Sequence, residues 1–137
     1  MKKYEQLEIS GDVSLRIWGE NLEELFANTA EGLSNLITDL SGIKETESKE
    51  VVLSSERNED LLVNWLNELI FLFDTYGFIG KRFEVSLKSD TLKATVSGGI
   101  FNVEINEGRL LVKAATYHRL SLKKDNSQWE AVVVFDI

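Results

Sequence analysis

The amino-acid sequence predicts a single α+β domain over residues 1–137, in which two helices pack on a mainly antiparallel sheet. The spacing of apolar residues along the chain predicts two strands, a helix, a strand, a second helix and about four further strands, in that order. The length of 137 residues is that of one ordinary domain, and no stretch has the composition of a linker. With 43% hydrophobic residues, the chain is expected to fold around one core.

The first two elements are predicted to be strands joined by a turn. Tyr4 to Ile9 form the first strand, and Val13 to Trp18 form the second, in which apolar residues alternate with Ser14 and Arg16. The Ser10-Gly11 dipeptide between them is typical of a turn.

Two helices are predicted from apolar residues at helical spacing. The first begins after Asn21, an N-cap residue followed three positions later by Glu24 in a capping-box arrangement, and runs to about Ile37. The second covers the stretch NEDLLVNWLNELIFLF and is stopped by Gly77. A short strand, Glu50 to Ser55, is predicted between the helices.

The remainder of the chain is predicted to be strands separated by turns at KSD, NEG and KKDNS. These strands are centred on residues 83–87 and 92–96, on one continuous run from Val112 to Leu122, and on Trp129 to the end. The glycines of SGGIFNVEINEG lack the strand–glycine–helix context of a dinucleotide site. We therefore interpret them as a loop or a bulge.

The charge balance restricts the classes of partner. With 15 Lys and Arg against 23 Asp and Glu, the net charge of -8 disfavours tight direct binding of nucleic acid and favours cations and basic protein surfaces. Because there is no cysteine, disulfides and zinc–thiolate sites are excluded. The opening MKKYEQLEIS is not a secretory signal and no apolar run is long enough to cross a bilayer, so a cytoplasmic protein without membrane contact is expected.

Two residues have simple structural interpretations. His118 is the only histidine, and on the predicted strand it shares a face with Val112 and Leu122, so we predict a core or half-buried imidazole. Asp39 follows the end of the first helix and precedes the stretch LSG, so we predict that it caps a turn.

Three negative groups at the two ends of the chain are candidates for a site: Asp12, Asp136 and the main-chain carboxylate of Ile137. The strand WEAVVVFDI is apolar but ends on two of them, and an unpaired carboxylate there must be solvated, paired or neutralised by a cation. An Asx turn at Asp12 and simple solvation of the terminus are the alternatives. Oxygen-ligand sites have no sharp sequence signature, so spacing alone leaves these alternatives open.

Several stretches, in order along essentially the whole chain, resemble the archease family. The segment YEQLEISGDVSLRIWGENLEELFANTAEGL is similar to the family's opening, which usually reads Asp-His-Thr-Ala-Asp-Val before a strand, a glycine and a long helix. The stretch ITDLS resembles the Thr-Asp with which the family's helix ends, and LLVNWLNELIFLFDTYGFIGKRFEV resembles its second helix and the following strand. The stretch KAATYHRLSL resembles the family's Lys-Ala-x-Thr-Tyr-His strand, and VVVFDI resembles its terminus. The chain departs from the pattern at Glu8 and Ile9, which stand where the family has Asp and His.

The resemblance implies an α+β sandwich or split barrel with an inserted helix–strand–helix portion. It also implies a non-catalytic accessory protein of the RNA ligase that joins 3′-phosphate to 5′-hydroxyl ends, including in tRNA splicing, where it promotes guanylylation and turnover of the ligase. It implies that Asp12, Asp136 and Ile137 are the metal ligands.

Oxygen donors of this kind suit a divalent Ca2+, Mg2+ or Mn2+ ion. The resemblance implies that an RNA-splicing ligase is the protein partner, and we expect the chain itself to be a monomer. A metal-independent chaperone or modulator of RNA-modifying enzymes is the alternative function. A hydrolase with Asp12 and Asp136 as an acid–base pair is a third hypothesis, which no nucleophile motif supports.

Overall fold

The computed structural model describes residues 2–9 and 11–137, and the predicted turn residue Ser10 lies outside them. Two helices and eight strands follow one another over this part of the chain. Their bounds are β1 Tyr4–Ile9, β2 Asp12–Gly19, α1 Leu22–Ile37, β3 Glu47–Ser54, α2 Asn58–Tyr76, β4 Phe78–Lys88, β5 Thr91–Ile100, β6 Ala114–Ala115, β7 Ser121–Asp125 and β8 Gln128–Asp136. A short 3-10 helix, Leu40–Gly42, separates α1 from β3.

The strands form two separate antiparallel sheets, and the described residues contain no closed barrel. One sheet has five strands in the order β1-β2-β8-β6, with β7 also paired to β8, and the other has three strands in the order β3-β5-β4. All strand pairs in both sheets are antiparallel, which confirms the predicted α+β class. Because β8 pairs with β2, the last strand of the chain lies beside one of the first.

The two helices begin and end where the sequence predicts. Asn21 Oδ1 accepts a hydrogen bond from the Glu24 amide at 2.8 Å, which starts α1. The Glu24 carboxylate accepts from the amide of Glu20 instead of that of Asn21, so only half of the predicted capping box forms. Gly77 ends α2 in the left-handed region with a φ of 69°, a conformation that glycine adopts without steric cost.

The core lies where the helices contact both sheets. α1 packs against β2 of the larger sheet and β4 of the smaller one, and α2 packs against β3, β4 and β6. Trp65 of α2 is fully buried, and its indole Nε1 donates to the carbonyl of Phe26 in α1 at 3.0 Å. No helix in the described residues is long and apolar enough to cross a membrane.

The predicted continuous strand from Val112 to Leu122 is wrong. Strand β6 has only two residues, and a turn follows in which the Leu120 amide donates to the Tyr117 carbonyl and Arg119 has a φ of 52°. Because the alternation of inward and outward side chains ends with β6, the His118 side chain is 60% exposed. The predicted core or half-buried imidazole is therefore also wrong.

The glycine-rich stretch lies in β5, and the loop follows it. Gly98 and Gly99 pair with β4, whose register shifts between Gly80 and Arg82, so the bulge lies on the opposite strand. A Cβ added to Gly98 would lie 1.9 Å from the carbonyl oxygen of Ile79. These glycines therefore allow two backbones to approach closely.

Candidate metal centre

The pairing of β2 with β8 brings two candidate carboxylates to the same end of the larger sheet. Val13 pairs with Phe135, and the same antiparallel register continued by one residue sets Asp12 opposite Asp136. Directly opposite residues lie on the same face of a sheet, with their Cα atoms about 5 Å apart. The phenylalanine and valine of the preceding pair are buried, whereas Asp136 is exposed. Because successive residues of a strand point to opposite faces, the centre lies at a solvated end of the sheet, on the face away from these two buried side chains.

The end of β8 is held on its other side by the short strand β6. Ala114 pairs with Asp136, and the amide of Lys113 donates to the Asp136 carbonyl at 2.8 Å. Asn67 of α2 supports β6 by accepting from the Ala115 amide at 2.8 Å. Its side-chain amide also donates to the Ala115 carbonyl at 3.3 Å. Helix α2 therefore helps to position the strand on which Asp136 depends.

A third polar side chain, which the sequence did not indicate, lies beside Asp12. His118 Nε2 is 3.8 Å from Asp12 Oδ2. The turn that carries the histidine is anchored to the core and to α2, since Thr116 Oγ1 donates to the Val134 carbonyl at 2.8 Å and the Tyr117 hydroxyl donates to Asp60 Oδ1 at 2.7 Å. The bond to that carboxylate raises the pKa of Tyr117.

The donors that the family resemblance implies are oxygen atoms, from the side chains of Asp12 and Asp136 and from Ile137. Within residues 2–9 and 11–137, no three His, Cys, Asp or Glu side chains form a group that could hold a metal ion. A cation held by Asp12 and Asp136 would take its further donor from the main chain at Ile137, the residue that follows β8. Carboxylate oxygens of this kind match the preference of Ca2+, Mg2+ and Mn2+.

The two departures from the family's opening pattern lie on β1, next to Asp12. Ile9 pairs with Asp12, and Glu8 pairs with Val13. Because opposite residues share a face and successive residues alternate, Glu8 lies on the other face of the sheet from Asp12. We therefore leave Glu8 out of the donor set.

Asp39, the remaining carboxylate considered from the sequence, has the turn role that was predicted. It caps the short 3-10 helix by accepting from the Ser41 amide at 3.0 Å and from the Ser41 hydroxyl at 2.8 Å. These hydrogen bonds lower the pKa of Asp39, because they stabilise its charged form.

Comparison with protein families and curated sequences gives matches over nearly the whole chain. The family model described as "Archease protein family (MTH1598/TM1083)" matches residues 4–137. The chain is 36% identical to Protein archease of Methanosarcina mazei, over 99% of this chain and 97% of that protein. It is 37% identical to Protein archease of Saccharolobus solfataricus, over 100% of both chains.

Two solved structures share the fold over the full length. The solution structure of Methanobacterium thermoautotrophicum protein 1598 superposes with a TM-score of 0.84 at 32% identity, covering 100% of both chains. A crystal structure from Thermotoga maritima, described as "an archease, possible chaperone", superposes with a TM-score of 0.67 at 28% identity and covers 100% of this chain and 99% of the other.

Proposed function

The chain belongs to the archease family, and from this premise we propose that it is a non-catalytic accessory protein that binds a divalent cation and activates an RNA ligase. The ligase would be the enzyme that joins 3′-phosphate to 5′-hydroxyl RNA ends, in tRNA splicing and RNA repair in the cytoplasm. The accessory protein would promote guanylylation of the ligase and its repeated turnover.

The observation that carries the metal part of the proposal is the register of β2 and β8. Continued by one residue, it sets Asp12 opposite Asp136, and Ile137 follows directly with a main-chain oxygen. Two carboxylates at one sheet end repel each other, and a divalent cation would offset that repulsion. This arrangement also gives a physical reason for an aspartate at the end of an apolar strand.

The residues of this chain would hold and present the cation, without making or breaking a bond themselves. A divalent cation, when bound, neutralises charge on nucleotide phosphates during guanylylation. Asp12 and Asp136 would fix its place at an exposed sheet end, where a partner enzyme can reach it. The hydrogen bond from the Lys113 amide to the Asp136 carbonyl and the Asn67 bonds to β6 would keep that end of β8 in position.

Charge favours a basic partner surface. With a net charge of -8, the protein is attracted to basic, RNA-facing surfaces of an enzyme and repelled by RNA itself. Association with the ligase should therefore weaken as the salt concentration rises.

The direct experiment adds the protein with Mn2+ to the slowly reacting ligase from the same organism and follows guanylylation of the ligase. Wild-type protein should accelerate the reaction, whereas Asp12→Ala and Asp136→Ala should not. Asp74→Ala, which removes an exposed carboxylate from α2, is the matched control and should accelerate it like the wild type. No acceleration by the wild type, or equal acceleration by all variants, refutes the proposed role.

A metal-independent chaperone is the second candidate, and it is favoured by the similarity to the Thermotoga maritima protein, which is described as a possible chaperone. It predicts that the protein protects an RNA-modifying enzyme from aggregation and that the protection persists in chelator and in Asp136→Ala. Loss of protection under either condition rejects this candidate.

A further inference from the structure

The loop between β5 and β6 exposes the most accessible large aliphatic side chains of the described residues. Val103 is 82% exposed, Ile105 is 76% exposed and Leu111 is 80% exposed. Single exposed aliphatic residues are common on protein surfaces, but several in one short segment mark an interaction site more often than chance exposure does. We call these three residues the aliphatic ridge.

The backbone that carries the ridge is tied to the body of the protein. The amides of Arg109 and Leu110 donate to the carbonyls of Ile37 and Leu36 at 2.9 and 3.0 Å, at the end of α1. Asn106 Nδ2 donates to the Gly42 carbonyl at 2.9 Å. Because these hydrogen bonds already hold the segment at its middle and at its end, little conformational entropy is lost when a partner binds the ridge.

A groove of about 310 Å3 adjoins the ridge. Its lining is mostly apolar and includes Ile37, Phe73, Phe101 and Leu110, together with the ridge residues Val103 and Leu111. The rings of Phe73 and Phe101 pack edge to face with their centroids 5.7 Å apart. Two of the three ridge residues, Val103 and Leu111, therefore belong to the wall of a mostly apolar groove.

The charges around this surface indicate the chemistry of what binds there. The one arginine in its lining, Arg109, is already engaged by the Glu107 carboxylate at 2.9 Å and by the Asn35 carbonyl at 2.9 Å. Glu104, between two ridge residues, takes part in no salt bridge among the described residues. Asp39 lies near enough to interact electrostatically with both Arg109 and Lys81, so it has basic neighbours of its own. The uncompensated charge at the rim is therefore the negative charge of Glu104.

Self-association is the less favourable use of such a surface. A second copy would bring the same carboxylates together, and each copy carries a net charge of -8. A segment that combines aliphatic side chains with Lys or Arg would fill the groove and pair with the acidic rim.

We propose that the aliphatic ridge and its groove are a docking surface for a basic, leucine-rich segment of a partner protein. The surface needs no cation and uses no residue of the candidate metal centre. It nevertheless lies close to that centre along the chain, because Leu111 is three residues before Ala114, a span of about 11 Å at most. A partner held here is thus positioned beside Asp136, which pairs with Ala114.

The test uses the full chain and three labelled synthetic peptides: an amphipathic peptide of Leu and Lys, a Ser and Lys peptide of the same charge, and a Leu and Glu peptide. Binding is measured by fluorescence anisotropy in chelator and at two salt concentrations. The Leu and Lys peptide should bind most tightly and should lose affinity as salt is added. In Leu111→Ser and Val103→Ser, its affinity should fall about tenfold, because an anchoring aliphatic contact is lost.

Val52→Ser is the matched control, since Val52 is a 63% exposed aliphatic residue on β3 of the smaller sheet. It should leave the affinity unchanged, and all variants should melt at the wild-type temperature. Equal binding of the Ser and Lys peptide, equal binding of the Leu and Glu peptide, or unchanged affinity in Leu111→Ser would each overturn the proposal. Sedimentation that shows a wild-type dimer lost in Leu111→Ser would assign the surface to a second copy and would overturn it too.

Discussion

His118 Nε2 lies 3.8 Å from Asp12 Oδ2, so the only histidine of the chain stands beside one carboxylate of the candidate metal centre. Both side chains are largely exposed, at 60% and 46%, and an exposed pair of this kind contributes little to stability. Imidazole nitrogen is a ligand for transition metals, whereas Ca2+ and Mg2+ are bound by oxygen. The position of His118 therefore bears on which cation the centre prefers.

Replacing this histidine should change cation preference more than stability. In His118→Ala, the increase in melting temperature caused by Mn2+ should be smaller than in the wild type, while the increase caused by Ca2+ should be retained. Without added ions, the melting temperature should stay within about 2 °C of the wild type, as expected for an exposed pair. Scanning fluorimetry measures both effects, and an equal change for the two ions would show that His118 does not contribute to cation preference.

Asn67 should be needed for the position of β6. Removing its two hydrogen bonds to Ala115 in Asn67→Ala should lower the free energy of unfolding by about 1–2 kcal/mol, because backbone groups of a half-buried strand lose their partners. Asn64→Ala changes an exposed asparagine of the same helix and should have almost no effect. Chemical denaturation of the two variants checks the difference, and equal destabilisation would contradict it.

Gly98 should not tolerate a side chain. In Gly98→Ala, the new Cβ would lie 1.9 Å from the Ile79 carbonyl oxygen, a backbone atom that cannot move aside without distorting β4. We expect a loss of about 3 kcal/mol or a failure to fold. Gly108→Ala is the control because nothing lies within 4 Å of its added Cβ, and it should stay near wild-type stability. Similar denaturation midpoints for both variants would contradict the close approach.

Tyr4 should make stability fall at alkaline pH. Burial and then the nearby Glu31 carboxylate raise the pKa of Tyr4 from its ordinary value of 10.0. The stability that the neutral Tyr4 side chain contributes is fully present below the pKa that this tyrosine has in the unfolded chain. It is lost as the pH rises through the higher pKa of Tyr4 in the folded protein. The free energy of unfolding should therefore fall less steeply in Tyr4→Phe than in the wild type as the pH rises above about 10. A slope in Tyr4→Phe as steep as that of the wild type would reject this explanation.

Local features of the fold follow from the sequence because their causes lie within a few residues. The Asn21 cap, the left-handed Gly77 at the end of α2 and the turn at Asp39 each depend on hydrogen bonds or backbone angles of near neighbours. The apolar periods likewise predict both helices and most strands.

Features that depend on contacts between residues far apart in the sequence could not be predicted from local sequence patterns. The alternating residues after Ala115 are typical of a strand, but β6 stops there because the chain turns at Arg119, whose φ of 52° no pattern indicates. His118 was therefore assigned to the wrong environment. The approach of Asp12 to Asp136 depends on the pairing of β2 with β8, and only the family resemblance connected the two ends of the chain.

The central claim, that Asp12 and Asp136 share one divalent cation, is tested most directly by thermal melting with and without Mn2+ and Ca2+. A cation that binds the native state raises the melting temperature by mass action. We predict an increase for the wild type and for the control Asp74→Asn, and its loss in both Asp12→Asn and Asp136→Asn. No increase in the wild type, or an undiminished increase in the two variants, would contradict the account.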